Sequence, residues 1–87
     1  KNLYLSIDIR NKEGLPELFL NKLNELISRH VIVSDLRRID SRDSSFEATY
    51  FIDIKNHDKL SNLVDELHVT FSGIGVTFLD QNRIPVD

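Results

Sequence analysis

The residues of this chain that could bind a metal or transfer a proton are three histidines and a surplus of carboxylates. His30, His57 and His68 are scattered along the sequence and lack the short spacing of paired metal ligands. None of the carboxylates occupies an apolar position, where burial would raise its pKa into the range of a general acid. We therefore expect no catalytic residue, no metal site and no cofactor, and we do not expect an enzyme.

Three other features bear on chemistry. The chain contains no cysteine, which excludes disulfides, zinc–thiolate sites and cysteine nucleophiles. Gly73-Ile74-Gly75 lacks the Lys-Ser/Thr of a phosphate-binding loop and precedes a strand-like run rather than a helix. Acids and arginines are mixed from Asp35 to Asp43, which predicts an exposed hairpin that ion-pairs with itself. An anion site formed by its arginines is the alternative.

The composition is that of a small globular domain. The 87 residues suffice for one hydrophobic core, and 40% hydrophobic with 29% charged residues is an ordinary balance. Asp and Glu number 14 against 11 Lys and Arg, so the net charge of -3 disfavours binding to nucleic acid. No apolar run approaches the roughly 18 residues of a membrane span. Since the chain begins at Lys1 without Met, we expect a fragment of a larger protein.

Hydrophobic periodicity predicts the elements that must position any site. Alternating apolar and polar residues predict strands at 3–9, 31–39, 46–54 and 76–79, with a bulge near Leu36 in the second strand. Helical spacing predicts one helix at 15–29 and another after Asn56, which is a suitable N-cap. Arg29 and His30 are expected to complement the dipole of the first helix. Residues 41–45 are predicted to form a hairpin loop.

The order of these elements predicts the fold. Two right-handed β-α-β crossovers place both helices on one face of a four-stranded antiparallel sheet, with the first and third strands central. The fold class is therefore α+β, a ferredoxin-like βαββαβ sandwich. The opposite sheet face would carry Tyr4 and Phe51 among polar side chains. That face is either solvated or covered by another subunit or domain.

The segment between the first strand and the first helix resembles the turn of ACT domains. In that family the turn has Asp or Asn, two variable residues, Gly, and an aliphatic residue that opens the helix; here it is Asn11-Lys12-Glu13-Gly14-Leu15. The runs 31–34 and 48–54 also resemble the family, and the spacing of elements agrees over nearly the whole chain. On this resemblance, residues 1–84 form a single ACT-like domain and 85–87 a tail.

The resemblance implies a regulatory domain of a larger, bacterial protein. Many ACT domains pair side by side, and amino-acid-sensing members bind their ligand at that interface beside the first turn. Carried over, this predicts a homodimer with a small-molecule site at Asn11, Glu13, Gly14 and Leu15. Gly14 would let a ligand approach the backbone, and the amides at the helix start could hold a carboxylate. A tight turn with no ligand is the alternative.

Two relatives of this fold class give other expectations. The chain also resembles the ligand-free ACT-like domain at the cytosolic end of bacterial membrane proteins of the MgtC type, so the expected location is the cytoplasm, with the domain either free or part of a membrane protein. An RNA-recognition fold shares the element order, and Leu3 to Ile7 is similar to its first strand. Glu47 and Asp53 would repel phosphate on the face that binds RNA, so we expect no nucleic-acid partner.

Overall fold

The computed structural model describes residues 1–10 and 16–80. Its elements follow the predicted order: β1 (Asn2–Arg10), α1 (Pro16–Ser28), β2 (Val33–Arg42), β3 (Ser45–Asp53), α2 (His57–Thr70) and β4 (Gly75–Asp80). All four strands form one antiparallel sheet in the order β2-β3-β1-β4. This confirms the ferredoxin-like βαββαβ sandwich and the central position of the first and third strands.

One face of the sheet and the inner faces of both helices form the hydrophobic core. In β1 the residues alternate strictly, with Leu3, Leu5, Ile7 and Ile9 buried and their neighbours at least partly exposed. The same alternation runs through β3, which lies beside β1. Burial of apolar surface stabilises this arrangement by about 25 cal/mol for each Å² removed from water. The predicted buried face of both central strands is therefore confirmed.

Tyr50 is the largest side chain buried in this core. Its hydroxyl donates a hydrogen bond to the side-chain oxygen of Asn24 on α1, so its polar end is not left without a partner. Burial raises the pKa of Tyr50. The phenol therefore stays neutral and ties β3 to α1.

The edge strand β2 contains the predicted bulge, one residue beyond Leu36. Leu36 pairs with Tyr50 and Arg38 with Thr49, so Arg37 is the extra residue in the ladder. The extra residue places Arg37 and Arg38 on the same side of the sheet, and it returns Ile39 to the side of the helices. Without it, the alternation in β2 would turn Ile39 outwards.

Several boundaries differ from the sequence-based expectation. The hairpin loop predicted at 41–45 is a two-residue turn at Asp43–Ser44, because β2 and β3 extend their pairing to Arg42 and Ser45. β2 begins at Val33 rather than at residue 31, and α1 spans Pro16–Ser28. The N-cap of α2 is confirmed, since the side chain of Asn56 accepts a hydrogen bond from the backbone N–H of Lys59 at 3.0 Å.

Candidate functional site

The candidate site is the connection between β1 and α1. The residues predicted to contact a ligand, Asn11, Glu13, Gly14 and Leu15, lie outside the described residues. The structure does describe both ends of the connection: it leaves the central strand β1 at Arg10 and enters α1 at Pro16. A ligand held there would touch the end of a central strand and the start of a helix, two parts of the fold that are tied to the core.

Three phenylalanines fasten the start of α1 to the rest of the domain. The ring of Phe19 lies 5.0 Å from that of Phe46 at the start of β3 and 5.0 Å from that of Phe71 after α2. Both pairs meet edge to face, at 83° and 73°. We call these residues the Phe19 cluster. A displacement at the entrance of α1 would therefore reach β3 and α2 directly.

A close approach between β1 and β4 lies two residues before the end of β1. Asp8 pairs with Gly75, and its carboxylate covers the glycine so closely that a Cβ there would lie 2.6 Å from Oδ2. A Cβ at Gly75 would therefore require the exposed Asp8 side chain to turn aside. By contrast, Gly73 in the preceding turn adopts a φ of 80°, which favours glycine. The sequence indicated both glycines only as the entrance to a strand.

Among residues 1–10 and 16–80, no strand pairs with the outer edge of β2. β2 is the terminal strand of the sheet, and most of its residues are exposed on both faces. A groove of about 400 Å³ lies between this strand and α1, lined by Asn24, Glu25, Ser28, Ser34, Leu36 and Tyr50. Ile39 is 42% exposed on the helix side of the same strand. An uncovered edge strand with a flanking groove is a surface on which another strand can pair.

The face of the sheet opposite the helices carries an aromatic pair. Tyr4 on β1 and Phe51 on β3 are directly opposite, with ring centroids 5.1 Å apart, and Leu79 on β4 extends the row. Arg37 places its guanidinium 5.1 Å from the centre of the Phe51 ring and donates a hydrogen bond to Asp35 at 2.7 Å. The bulge of β2 is what brings Arg37 to this face.

A carboxylate joins the two helices on the other side of the sheet. Glu66 of α2 accepts hydrogen bonds from His30 Nε2 at 2.5 Å and from Arg29 at 2.6 Å. The hydrogen bond of His30, followed by that of Arg29, holds the pKa of Glu66 below its ordinary value. Arg29 and His30 directly follow the end of α1 at Ser28 and both side chains bind Glu66, so their interaction with the dipole of α1 stays a prediction.

The described residues provide neither a cluster of metal ligands nor a membrane-spanning helix. In residues 1–10 and 16–80, no three His, Asp or Glu side chains come together in a way that could hold a metal ion. Within the same ranges, neither helix is long and apolar enough to cross a membrane. A second cleft, of about 210 Å³, lies at the end of the sheet away from the candidate site, between Leu3, Leu60 and Phe78.

The strand order and the helices on one face are those of a ferredoxin-like fold, and the similarity to solved ACT domains makes it an ACT-like domain, which indicates a regulatory domain in general. The chain is similar to the crystal structure of the ACT domain from GTP pyrophosphokinase of Chlorobium tepidum, at 27% identity and a TM-score of 0.63, covering 90% of this chain and 96% of that one. The solution structure of the same domain gives 24% identity and a TM-score of 0.62, covering 100% and 94%.

The fold is also that of the C-terminal domain of the MgtC protein from Mycobacterium tuberculosis. That solution structure is 16% identical, with a TM-score of 0.58, and the match covers 99% of this chain and 93% of that one. At this identity the likeness concerns the fold alone. No protein-family model and no curated protein matches the chain.

Proposed function

We propose that this chain is a non-catalytic regulatory domain of a larger protein. In this proposal it binds a small molecule at the β1–α1 connection, through Asn11, Glu13, Gly14 and Leu15, and it forms a homodimer. The observation that carries the proposal is the similarity to the ACT domain of GTP pyrophosphokinase over 90% of the chain. We place the domain in the cytoplasm, including the case in which the parent is a membrane protein.

The surroundings of the connection support a ligand that acts on the whole domain. Amide groups at the start of a helix hold anions, and Gly14 adds no side chain that would block the approach. The Phe19 cluster lies in the next turn of α1 and contacts both β3 and α2. Binding that shifts the start of α1 would change the packing of these three elements. A coupling of about 1–3 kcal/mol is usual for regulation of this kind.

The free edge of β2 supports a homodimer formed by strand pairing. Two copies related by a two-fold axis would continue the sheet through β2, and the groove beside α1 would receive side chains of the second copy. Ile39 and Leu36 would then lose their contact with water. A domain of 87 residues buries a smaller fraction of the surface of its unfolded chain than a large domain does, so the additional burial would stabilise it.

The first test is a screen for ligands by thermal unfolding with the twenty amino acids and divalent cations. A ligand at 100 times its dissociation constant adds about 2.7 kcal/mol, which raises the melting temperature of a domain this size by about 11–22 °C. The Gly14→Val variant should lose the shift, whereas Asn62→Val on the outer face of α2 should keep it. If no compound shifts the melting temperature, small-molecule sensing at this connection is wrong.

The second test is the oligomeric state measured by sedimentation equilibrium. Ile39→Lys places a charge on the β2 edge, and we expect it to weaken the dimer at least tenfold, because a buried unpaired charge is strongly unfavourable at an interface. Val69→Lys is the matched control, since Val69 is 85% exposed and lies on α2 rather than on α1, which borders the groove. Equal dissociation constants for the two variants would contradict pairing through β2.

A further inference from the structure

Both helices pack on one face of the sheet and leave the opposite face uncovered; we call this second face the open face. The registers of the four strands arrange its side chains in rows that run across the sheet. We name the rows by their chemistry: an aromatic row (Leu79, Tyr4, Phe51), a hydroxyl row (Thr77, Ser6, Thr49 with Arg38), an acidic row (Asp8, Glu47, Asp40) and a basic row (Arg10, Ser45, Arg42).

The acidic row is unfavourable in an isolated chain. Glu47 is directly opposite Asp8 on one side and Asp40 on the other, so three carboxylates stand side by side. Like charges directly opposite in a sheet are destabilising. Arg38 donates a hydrogen bond to Asp40 at 2.9 Å, and this ion pair offsets one end of the row. A second surface that covers the row with hydroxyl groups and a cation would offset the remaining repulsion among the three carboxylates.

The order of the rows makes the face complementary to itself. We propose that a second copy of this chain covers the face, related by a two-fold axis that lies between the hydroxyl and acidic rows, perpendicular to the strands. This rotation places each hydroxyl row on the acidic row of the other copy, and each aromatic row on the basic row. A two-fold axis parallel to the strands would instead place acidic rows on each other, which the charges exclude.

The rotation gives specific contacts on each strand. On β2, Arg38 meets Asp40 of the partner subunit; on β3, Thr49 meets Glu47 of the partner subunit. On β1, Arg10 lies over Tyr4 of the partner subunit, where a guanidinium and an aromatic ring attract each other. Each contact occurs twice, because the interface is isologous. The aromatic pair, whose Phe51 ring Arg37 covers within one chain, is then shielded from water.

The size of the face sets the strength of this contact. The strands lie about 4.8 Å apart; β1 and β3 have nine residues each, β2 has ten and β4 has six, so the face measures roughly 19 by 29 Å on average. Both copies together then bury about 1,100 Å², near the lower limit for a specific interface. The association is therefore weak and salt-dependent, and it is separate from pairing through the β2 edge.

The experiment uses Thr49 because it lies on the central strand β3, away from the β2 edge. Thr49→Lys would face Glu47 of the partner subunit and should tighten the dimer about tenfold, and Thr49→Glu should weaken it about tenfold. Both are made in the Ile39→Lys background, which removes edge pairing, and sedimentation equilibrium gives the dissociation constants. Asn62→Lys and Asn62→Glu, on α2, repeat the change of net charge and should leave the constants unaltered.

A cross-linking measurement checks the geometry. The chain has no cysteine, so Thr49→Cys and Glu47→Cys each introduce one reactive group. A short bismaleimide should link an equimolar mixture of the two variants more than either variant alone. Equal dissociation constants for Thr49→Lys and Thr49→Glu, or a chain that stays monomeric at millimolar concentration in the Ile39→Lys background, would overturn the inference. Either of these two results would leave the ligand screen and the test of pairing through the β2 edge unaffected.

Discussion

The Phe19 cluster gives a quantitative test of how the start of α1 is coupled to the rest of the domain. Phe19 is the central ring, with one edge-to-face contact to Phe46 and another to Phe71, each at 5.0 Å. Phe19→Leu removes both ring contacts and keeps most of the apolar volume at the site. The change thus isolates the ring geometry from the larger effect of opening a cavity.

The magnitude follows from the two contacts. An aromatic pair of this geometry contributes about 0.5–1.5 kcal/mol beyond the burial of its area. Two pairs give about 1–3 kcal/mol for Phe19→Leu, partly offset by the flexibility of leucine. In a double-mutant cycle, Phe19→Leu and Phe71→Leu should couple by about 0.5–1.5 kcal/mol, since the second change finds one contact already removed.

The assay is urea unfolding followed by circular dichroism, with the free energy of unfolding extrapolated to water. Phe51→Leu is the control, because Phe51 lies on the opposite face of the sheet and should combine additively with Phe19→Leu. Additive free energies for Phe19→Leu and Phe71→Leu would show that the rings do not act as a unit. The proposed route from the β1–α1 connection to α2 would then be wrong.

Two further predictions concern single side chains. Hydrogen bonds from His30 and Arg29 lower the pKa of Glu66, so its stabilising contribution is present above the pKa of an unfolded carboxyl and is lost as the pH falls through the lowered pKa. Glu66→Gln should therefore be less stable than the parent at neutral pH and converge with it in acid, as measured by urea unfolding across this range; parallel curves would contradict this. Gly75→Ala should change the free energy of unfolding by less than about 1 kcal/mol, because the carboxylate that its Cβ meets ends the exposed Asp8 side chain, which can turn aside. In an Asp8→Ala background the same change should be more favourable, and equal shifts of the melting temperature in the two backgrounds would refute the close approach.

The parts of the fold that the sequence predicts are those in which burial alternates. β1 and β3 lie in the middle of the sheet with one face buried, so their apolar residues repeat every second position. β2 is an edge strand with both faces largely exposed. Its start is predicted too early because Val31 and Ile32 are β-branched but precede the strand, and its end is predicted too early because Asp40–Arg42 carry no burial signal. Asn56 was identified because capping depends on local sequence alone.

The contacts between elements could not be predicted from the sequence. The rows of the open face depend on the registers of three strand pairs. The turn at Asp43–Ser44 and the bulge set the register of β2 with β3 only, and the other two pairs join strands that are distant in the sequence. The contact of Glu66 with His30 depends on how the helices lie against each other. The predicted ligand contacts at Asn11, Glu13, Gly14 and Leu15 lie outside the described residues and stay predictions.

The bulge at Arg37 has a consequence for how this strand tolerates changes in length. Leu36 and Arg38 pair with adjacent residues, Tyr50 and Thr49, so excising Arg37 would join two segments that already point to the correct sides. Removing a residue nearer one end of β2 would instead move every side chain between the deletion and that end to the opposite face of the sheet. When chains of this fold are aligned, a one-residue deletion in the second strand should therefore occur at the position of Arg37.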